Sequence, residues 1–310
     1  MDQTPLVSVV IPAWNAERFL PATLDSVVSQ DYTPLEVVVV DDGSQDGTAA
    51  IVERYGASHP VRLVRLPASG GASHARNVGI AAARGEIVAF QDADDEWLPG
   101  KLRKQVALLT ADQRLVFVAC GCRLISPTGQ DIGPCYEGQI PLTGGRAWPA
   151  LMARNTIHTS CVMAWRHALL AEGGFNPTLR VAEDQDLWIR LAMRGHLGYL
   201  DEHLVHVHIR PDSLSSRGHL DQIDVALPMI ERHLAARRVE LSAAERRWII
   251  GERHGRIGRE AYRRGAYRTG LGLIASAITH GDRPLGNLIY VATTLPPVMW
   301  LRQRLASARS

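Results

Sequence analysis

Residues 86–95 read EIVAFQDADD, so that a short apolar run leads, after one glutamine, into three carboxylates. Apolar runs of this length are typical of strands buried on both faces of a sheet. Ligands of open α/β sheets bind at the carboxyl ends of the strands, where Asp92, Asp94 and Asp95 are expected. Carboxylates this close repel one another, and Mg²⁺ or Mn²⁺ with oxygen ligands relieves that repulsion. The alternative is a solvated acidic turn before the next helix.

The chain preceding this segment repeats the same kind of apolar run. Strands are predicted at residues 6–12 (LVSVVIP), 35–40 (LEVVVV) and 61–66. Apolar residues at helical spacing lie between them, at residues 16–30, 48–55 and 72–83. Strands that alternate with helices build a mostly parallel sheet flanked by helices. The first hundred residues therefore predict the α/β class.

Past residue 100 the order becomes irregular. Strands are expected at residues 115–125, 159–166 and 204–209, while residues 129–145 are rich in loop-forming residues. These strands add a mixed part to the sheet. A helix from Asp184 places that carboxylate on the same face as Leu187 and Leu191, so that it can point into a cleft. An acid at a helix start is equally a favourable partner of the helix dipole.

Charge divides the chain near residue 220. Residues 1–220 carry 19 Lys and Arg against 24 Asp and Glu, whereas residues 221–310 carry 15 against 8. From about Gln222 the pattern is helical to the end. We therefore expect a catalytic domain at 1–220 and a helical extension at 221–310. The extension has no groove-reading motif, and no nucleic-acid partner is expected.

Residues 285–301 (LGNLIYVATTLPPVMWL) are largely apolar but contain Asn287 and two prolines. They fall short of the roughly 20 apolar residues of a membrane-spanning helix. They either lie on an anionic membrane surface, which suits the net charge of +7, or pack against protein. No targeting segment is recognised, and the cysteines lack C-x-x-C spacing. These features predict a cytoplasmic protein, peripheral on the inner face of the membrane if the extension binds lipid.

Two further clusters lie near the same predicted sheet edge. Asp41 and Asp42 end the second strand, where an Asp either accepts hydrogen bonds from a ribose or a base or forms an Asx turn. Gly70 and Gly71 at a helix start allow close approach to a phosphate, and Arg76 adds charge, although a glycine pair is also typical of simple loops. Neither the dinucleotide fingerprint nor the P-loop motif is present.

Five segments together resemble, in order and spacing, the family 2 inverting glycosyltransferases with the GT-A fold. They are VSVVIPAWNAERFL (7–20), VVVVDDGSQDGT (37–48), GGASHARNVGIAAARGEIVAFQDADDEW (70–97), GGFNPTLRVAEDQDLWIRL (173–191) and HIRPDSLS (208–215). The resemblance covers about residues 5–216. It implies a Rossmann-like, mostly parallel central sheet flanked by helices, with a C-terminal helical extension.

The resemblance also implies a role for each matching residue. Asp184 is the general base. Asp94 and Asp92 form the metal-binding D-x-D motif, with Asp94 on the metal, Asp92 towards the ribose or the metal's waters, and Asp95 in support. The donor-binding residues are Pro12, Ala13, Asn15, Asp41, Asp42 and Arg76, and the base and ribose meet Asp42 or both aspartates. Glu183 lies beside the base, and Arg190, placed in the substrate-binding set, orders its helix.

One position departs from the family pattern. Many relatives have a histidine near the metal where this chain has Arg210. Arg210 is expected to bind the diphosphate instead, and His206 and His208 are the candidate substitutes, with His208 placed on the metal. The Q-x-x-R-W signature of processive synthases is also missing, which favours transfer of one sugar per acceptor.

The implied function is a metal-dependent inverting hexosyltransferase that uses Mn²⁺ or Mg²⁺. Its donor is a UDP-sugar, and its acceptor is a saccharide or lipid-linked saccharide of a surface polysaccharide or glycolipid precursor. Two alternatives remain from the sequence. One is a nucleotidyltransferase, which needs a basic loop near the N-terminus where only Arg18 is present. The other is a non-catalytic protein that binds nucleotide-sugars, a role that the intact acids argue against.

Overall fold

The computed structural model describes residues 4–136, 143–210 and 221–294. They form two compact units. Of the described residues, the first unit contains 4–151 and 155–210, and the second contains 152–154 and 221–294. The segment PDSLS at 211–215 and the apolar residues 295–301, both singled out from the sequence, lie outside the described residues.

The first unit is built on a nine-stranded sheet. Its strands are β1 (Val7–Ala13), β2 (Leu35–Asp41), β3 (Val61–Arg65), β4 (Ile87–Phe90), β5 (Glu96–Trp97), β6 (Leu115–Ile125), β7 (Asp131–Pro134), β8 (Val162–Trp165) and β9 (His196–His208). Their order is β3-β2-β1-β4-β8-β6-β9-β5, and β7 pairs with β6. Strands β1 to β4 are parallel, β8 is antiparallel to β4 and β6, and β9 is parallel to β6.

Helices cover this sheet. They are α1 (Leu20–Val28), α2 (Thr48–Gly56), α3 (Ala72–Ala82), α4 (Lys101–Ala111), α5 (Trp148–Ala153), α6 (Arg166–Ala171) and α7 (Glu183–Arg194), with a short 3₁₀ helix at Thr159–Cys161. The parallel strands are apolar because both faces of the sheet are covered. In β2, for example, residues 37–40 are all valine and fully buried.

The second unit is helical. A π-helical turn (Gln222–Ala226) precedes α8 (Leu227–Ala236), α9 (Ala243–Arg263), α10 (Tyr267–Thr279) and α11 (Pro284–Thr294). Ser242 and Glu245 form a capping box at the start of α9, which satisfies backbone donors that the first turn leaves unpaired. Among the described residues, no helix is both long and apolar enough to cross a bilayer.

The predicted alternation of strands and helices over the first hundred residues is confirmed. Three expectations for the mixed part are corrected. The predicted strand at 159–166 begins with the 3₁₀ turn, the loop-rich region contains the short strand β7, and β9 begins at His196 rather than at residue 204. The first half of β9 (HLGYLDE) mixes apolar residues with a glycine and polar residues, and it is a strand through its pairing with the buried strand β6.

A lysine is enclosed at the start of α4. The Lys101 side chain is fully buried, donates from Nζ to Oε1 of Gln105 at 2.8 Å and lies 3.8 Å above the ring of Trp97. Burial disfavours its charged form and lowers its pKa to about 8. The surroundings of Lys101 in the first unit therefore stabilise its ammonium charge only in part.

Candidate active site

The acidic residues singled out from the sequence meet at one edge of the sheet. Asp41 is the last residue of β2 and pairs with Ala13 of β1, while residues 92–95 follow β4 on the other side of β1. Because these three strands are parallel and adjacent, their carboxyl ends open on the same side. The sheet thus brings together the two acidic segments, as the sequence predicts.

Asp41 is buried at the bottom of this edge. Its Oδ1 accepts from the backbone N–H of Ser44 at 2.9 Å, and its Oδ2 faces Nε of Arg65 at 3.5 Å. No described residue donates a hydrogen bond to this Oδ2. Asn15 follows Pro12 and Ala13 in the adjoining loop, with a positive φ of 48°, and its Oδ1 accepts from the N–H of Gln45. The loop and Asp41 together form one wall of the site.

Asp42 has a different set of partners. Its two carboxylate oxygens accept from Oγ of Ser69 and from the backbone N–H groups of Gly70 and Gly71, at 2.6 to 2.9 Å. Gly71 has a φ of +85°, a conformation that favours glycine, and α3 starts directly after it. Asp42 therefore fixes the glycine turn that leads into the helix of Arg76.

Arg76 connects two parts of the site. Nη2 lies 2.7 Å from Oδ1 of Asp92, and Nη1 lies 3.0 Å from Oε1 of Glu183 at the start of α7. The guanidinium is buried and packs against the ring of Phe175. One arginine thus joins the acidic segment after β4 to the residue that precedes Asp184.

The three carboxylates after β4 differ in proton affinity. Burial alone would raise the pKa of Asp92, but the Arg76 guanidinium outweighs it and lowers that pKa. Burial and the charge of Asp92 raise the pKa of Asp94, against the opposing effect of Arg210. Burial and both neighbouring carboxylates raise the pKa of Asp95 well above its ordinary value. The cluster therefore holds more negative charge than its local partners neutralise.

Asp94 and Arg210 form an ion pair, with 2.8 Å between Nε of Arg210 and Oδ2 of Asp94. The Arg210 guanidinium also lies over the ring of Phe19. Arg210 therefore comes to the acidic edge, as expected from its place in the sequence, and its contact is with the D-x-D carboxylate itself.

Three side chains offer atoms close enough for a shared cation. One atom each from Asp92, Asp95 and His158 lie within 4.8 Å of one another. Asp95 also accepts from Oγ of Ser160 at 2.6 Å and from the backbone N–H of His208 at 3.2 Å. The oxygen-rich donor set suits Mg²⁺ or Mn²⁺.

His208 does not join that group. Its Nε2 lies 3.1 Å from Oε1 of Glu96, so its ring pairs with β5. Strand β5 pairs with β9 so that Glu96 lies opposite His206, which brings Glu96 close to His208 further along β9. His158 is the histidine that the structure places beside the acids.

Asp184 lies in the first turn of α7. Its carboxylate accepts from Nδ2 of Asn155, at 3.1 and 3.3 Å, and from its neighbour's backbone N–H at 2.6 Å. Burial and the adjacent Glu183 raise the pKa of Asp184 to about 6. A carboxylate with this proton affinity is suited to accept a proton near neutral pH.

Aromatic packing fixes the helix that carries Asp184. The Trp188 ring lies 5.9 Å from the ring of Phe90 in β4, 5.8 Å from that of Phe175 and 6.0 Å from that of Phe117. Arg190 pairs with Asp186 and donates to two backbone carbonyls of residues 172–174. These contacts of Arg190 stabilise α7, and none of them reaches the acidic edge.

A model of the family described as Glycosyl transferase family 2 matches residues 8–142. TuaG of Bacillus subtilis (strain 168), a glycosyltransferase assigned to teichuronic acid biosynthesis, is 30% identical over 214 residues, which are 68% of this chain and 82% of TuaG. The chain belongs to glycosyl transferase family 2.

Two solved structures are similar to this family 2 glycosyltransferase. S. aureus TarS 1-349 in complex with UDP-GlcNAc is 19% identical with a TM-score of 0.57 and covers 89% of each chain. The mannosyltransferase PcManGT from Pyrobaculum calidifontis, in complex with GDP-Man and Mn²⁺, is 22% identical with a TM-score of 0.58 and covers 98% of this chain and 85% of that chain. The GT-A fold is therefore confirmed.

Sequence reasoning missed three residues of this glycosyltransferase site: Asn155, His158 and Ser160. All three lie in the segment NTIHTS at 155–160, between α5 and β8. The segment has no recognisable motif, and its polar residues resemble an ordinary loop. The sequence feature that could have pointed to them is the group of polar residues on both sides of Ile157, just before an apolar strand.

Proposed function

We propose that this glycosyltransferase is inverting, depends on a divalent metal and moves one hexose from a UDP-sugar to an acceptor hydroxyl. The observation that carries the proposal is the Arg76 bridge, with the acids after β4 on one side and Glu183, next to Asp184, on the other. The bridge connects the acidic cluster after β4, which is proposed to bind the donor, to the helix start that carries Asp184, whose raised pKa suits a base. Direct displacement needs both groups in one site.

Asp184 is the residue that accepts the proton. As the acceptor oxygen forms its bond to the anomeric carbon, the bond from that carbon to the diphosphate oxygen breaks and the hydroxyl proton passes to Asp184. One displacement inverts the configuration at the anomeric carbon. The hydrogen bond from Asn155 holds the carboxylate in place, and the aromatic packing of Trp188 keeps α7 against the sheet.

The donor nucleotide is proposed to lie against β1 and β2. Oδ2 of Asp41, which faces Arg65 but accepts no hydrogen bond from the described residues, is suited to accept one from a base N–H or a ribose hydroxyl. Support for a nucleotide-sugar also comes from the two similar structures, one in complex with UDP-GlcNAc and one with GDP-Man. The uridine assignment rests on the family resemblance.

A divalent cation would be held by Asp92 and Asp94, with Asp95 and His158 adjacent. When bound, Mn²⁺ or Mg²⁺ supplies Lewis-acid stabilisation to the departing diphosphate. The PcManGT complex contains Mn²⁺, which supports this choice of ion. Arg210, paired with Asp94, carries a second positive charge to the same place and can donate to the diphosphate.

The test is a panel of UDP-, GDP- and dTDP-sugars, each incubated with the protein and Mn²⁺, Mg²⁺ or EDTA, with release of nucleoside diphosphate as the readout. We expect slow hydrolysis of one UDP-sugar that EDTA abolishes. Equal turnover in EDTA would contradict the metal dependence, and hydrolysis of a GDP- or dTDP-sugar alone would contradict the uridine assignment. Calorimetric titration of each donor identifies the one that binds if turnover requires an acceptor.

We further propose that the acceptor is a saccharide or lipid-linked saccharide of a surface polysaccharide or glycolipid precursor, and that the second unit attaches to the inner face of the cell membrane. TuaG's assigned role in teichuronic acid biosynthesis supports such an acceptor. The second unit exposes the apolar side chains of Leu271, Leu285 and Leu288, in a region of net positive charge. Sedimentation with phosphatidylglycerol vesicles should exceed that with phosphatidylcholine vesicles, and equal partitioning would contradict the attachment.

A further inference from the structure

Asn155 makes a contact that sequence motifs do not predict. Its amide nitrogen is shared between both oxygens of the Asp184 carboxylate, at 3.1 and 3.3 Å. Its amide oxygen accepts from the backbone N–H of Ile157 at 3.4 Å. The two contacts agree on one orientation of the amide, because the oxygen faces a donor and the nitrogen faces a carboxylate.

The first turn of α7 is joined to the helix that precedes Asn155. Nε2 of Gln185, the residue after Asp184, donates to the backbone oxygen of Leu151 in α5.

We propose that Asn155 is a positioning residue for Asp184. The inference rests on the proposed role of Asp184 as the base. Asn155 does not touch the reacting atoms in this scheme. It fixes the direction of the carboxylate and favours its charged form, since an amide N–H stabilises a carboxylate more than a carboxylic acid.

The other groups around Asp184 cannot replace this contact. Glu183 is a second carboxylate and opposes ionisation of Asp184, whereas the Arg76 guanidinium favours it from a distance while bound to Glu183 and Asp92. Tyr136 is partly buried, and burial together with the Asp184 charge raises the pKa of its hydroxyl. Among the described residues, two groups donate a hydrogen bond to this carboxylate. They are the backbone N–H of Gln185 and the side-chain amide of Asn155.

The test replaces the amide. In Asn155→Ala, kcat should fall about ten- to a hundredfold. In the profile of kcat against pH, the acidic limb, where kcat rises with pH, should move to higher pH. In Asn155→Asp, the added carboxylate should move that limb further in the same direction. The donor's dissociation constant, measured by calorimetry, should change less than about twofold. A lower kcat with an unmoved acidic limb would show a merely structural role and overturn the proposal.

Failure of this inference differs from failure of the proposed function. If Asp184→Asn turns over as fast as the wild type, Asp184 is not the base and the proposed function is wrong. If Asp184→Asn is inactive while the Asn155 variants keep the wild-type acidic limb, the proposed function stands and the positioning role of Asn155 is wrong.

Discussion

Nε of Arg210 lies 2.8 Å from Oδ2 of Asp94, and the Arg210 side chain is only 14% exposed. The Arg210 guanidinium therefore occupies an oxygen that a divalent metal would need at the proposed site. Under the proposed function, metal and arginine would compete for Asp94 until the donor diphosphate offered Arg210 a second anionic partner. Binding of metal and donor should then reinforce each other.

Arg210→Gln should bind Mn²⁺ more tightly than the wild type when no donor is present. We expect about a tenfold gain, since removing a neighbouring positive charge leaves Asp94 free for the metal. Calorimetry or electron paramagnetic resonance of bound Mn²⁺ measures it. Arg103→Gln, which removes the same charge beside Asp31, is the control and should have no effect. Weaker Mn²⁺ binding in Arg210→Gln would contradict the competition.

Replacing Asp184, the proposed base, should nearly abolish transfer. In Asp184→Asn, kcat should fall by at least about a thousandfold with donor affinity nearly unchanged, because the amide cannot accept the proton. In the wild type, kcat should rise with pH through about 6 and then level off, since the deprotonated carboxylate is the form that the proposal requires. A profile that is flat from pH 5 to 8 would contradict this assignment.

Glu183→Gln should move the acidic limb of kcat to lower pH. The Glu183 charge raises the pKa of Asp184, and its removal also frees Arg76 to favour the charged form of Asp184. Both effects have the same sign. The measurement is kcat between pH 4.5 and 8 at saturating donor, and a shift towards higher pH would show that Glu183 holds Asp184 in place by other means.

Arg76→Met should destabilise the protein by about 3–5 kcal/mol, the usual result of leaving buried charges without their partner. Asp92 and Glu183 would both lose their cation. Urea unfolding at pH 7 measures the change. Arg114→Met is a suitable control, because its pair with Asp112 is exposed and such pairs contribute little. Equal losses in the two variants would show that the Arg76 bridge adds no particular stability.

The free energy of unfolding should rise with pH between about 8 and 10.5 in the wild type relative to Lys101→Met. The folded protein favours neutral Lys101, so the unfolded state binds the extra proton in this range and stability grows as that proton is lost. The full difference is ~3 kcal/mol. Urea titrations at pH 7.5, 9 and 10.5 test it, and a constant difference between the two proteins would contradict the lowered pKa.

Much of the fold follows from the sequence because the parallel strands are buried on both faces. A run such as the four valines of β2 is stable only in a strand whose two faces are both buried. The first half of β9 could not be predicted in the same way. Its polar and apolar residues do not alternate regularly, and its conformation depends on the partner β6, which is far away in the chain.

The acidic edge of the site follows equally well, since Asp41 ends an apolar strand and Asp92 follows another after one glutamine. The distribution of partners does not. The family resemblance points to Asp42, or to both aspartates, for the nucleotide, yet Asp41 keeps an oxygen to which no described residue donates, whereas Asp42 is saturated by a glycine turn. Likewise, spacing offers His206 and His208, whereas tertiary packing brings His158 to the acids.

The enclosure of Lys101 has a practical consequence for labelling. The chain has two lysines, and the other, Lys104, is partly exposed beside Glu202. An amine-reactive dye or a sensor surface should therefore attach at Lys104 or at the terminal amine. The rate of slow additional modification at Lys101, followed by mass spectrometry, would report how often the interior beneath α4 opens to solvent.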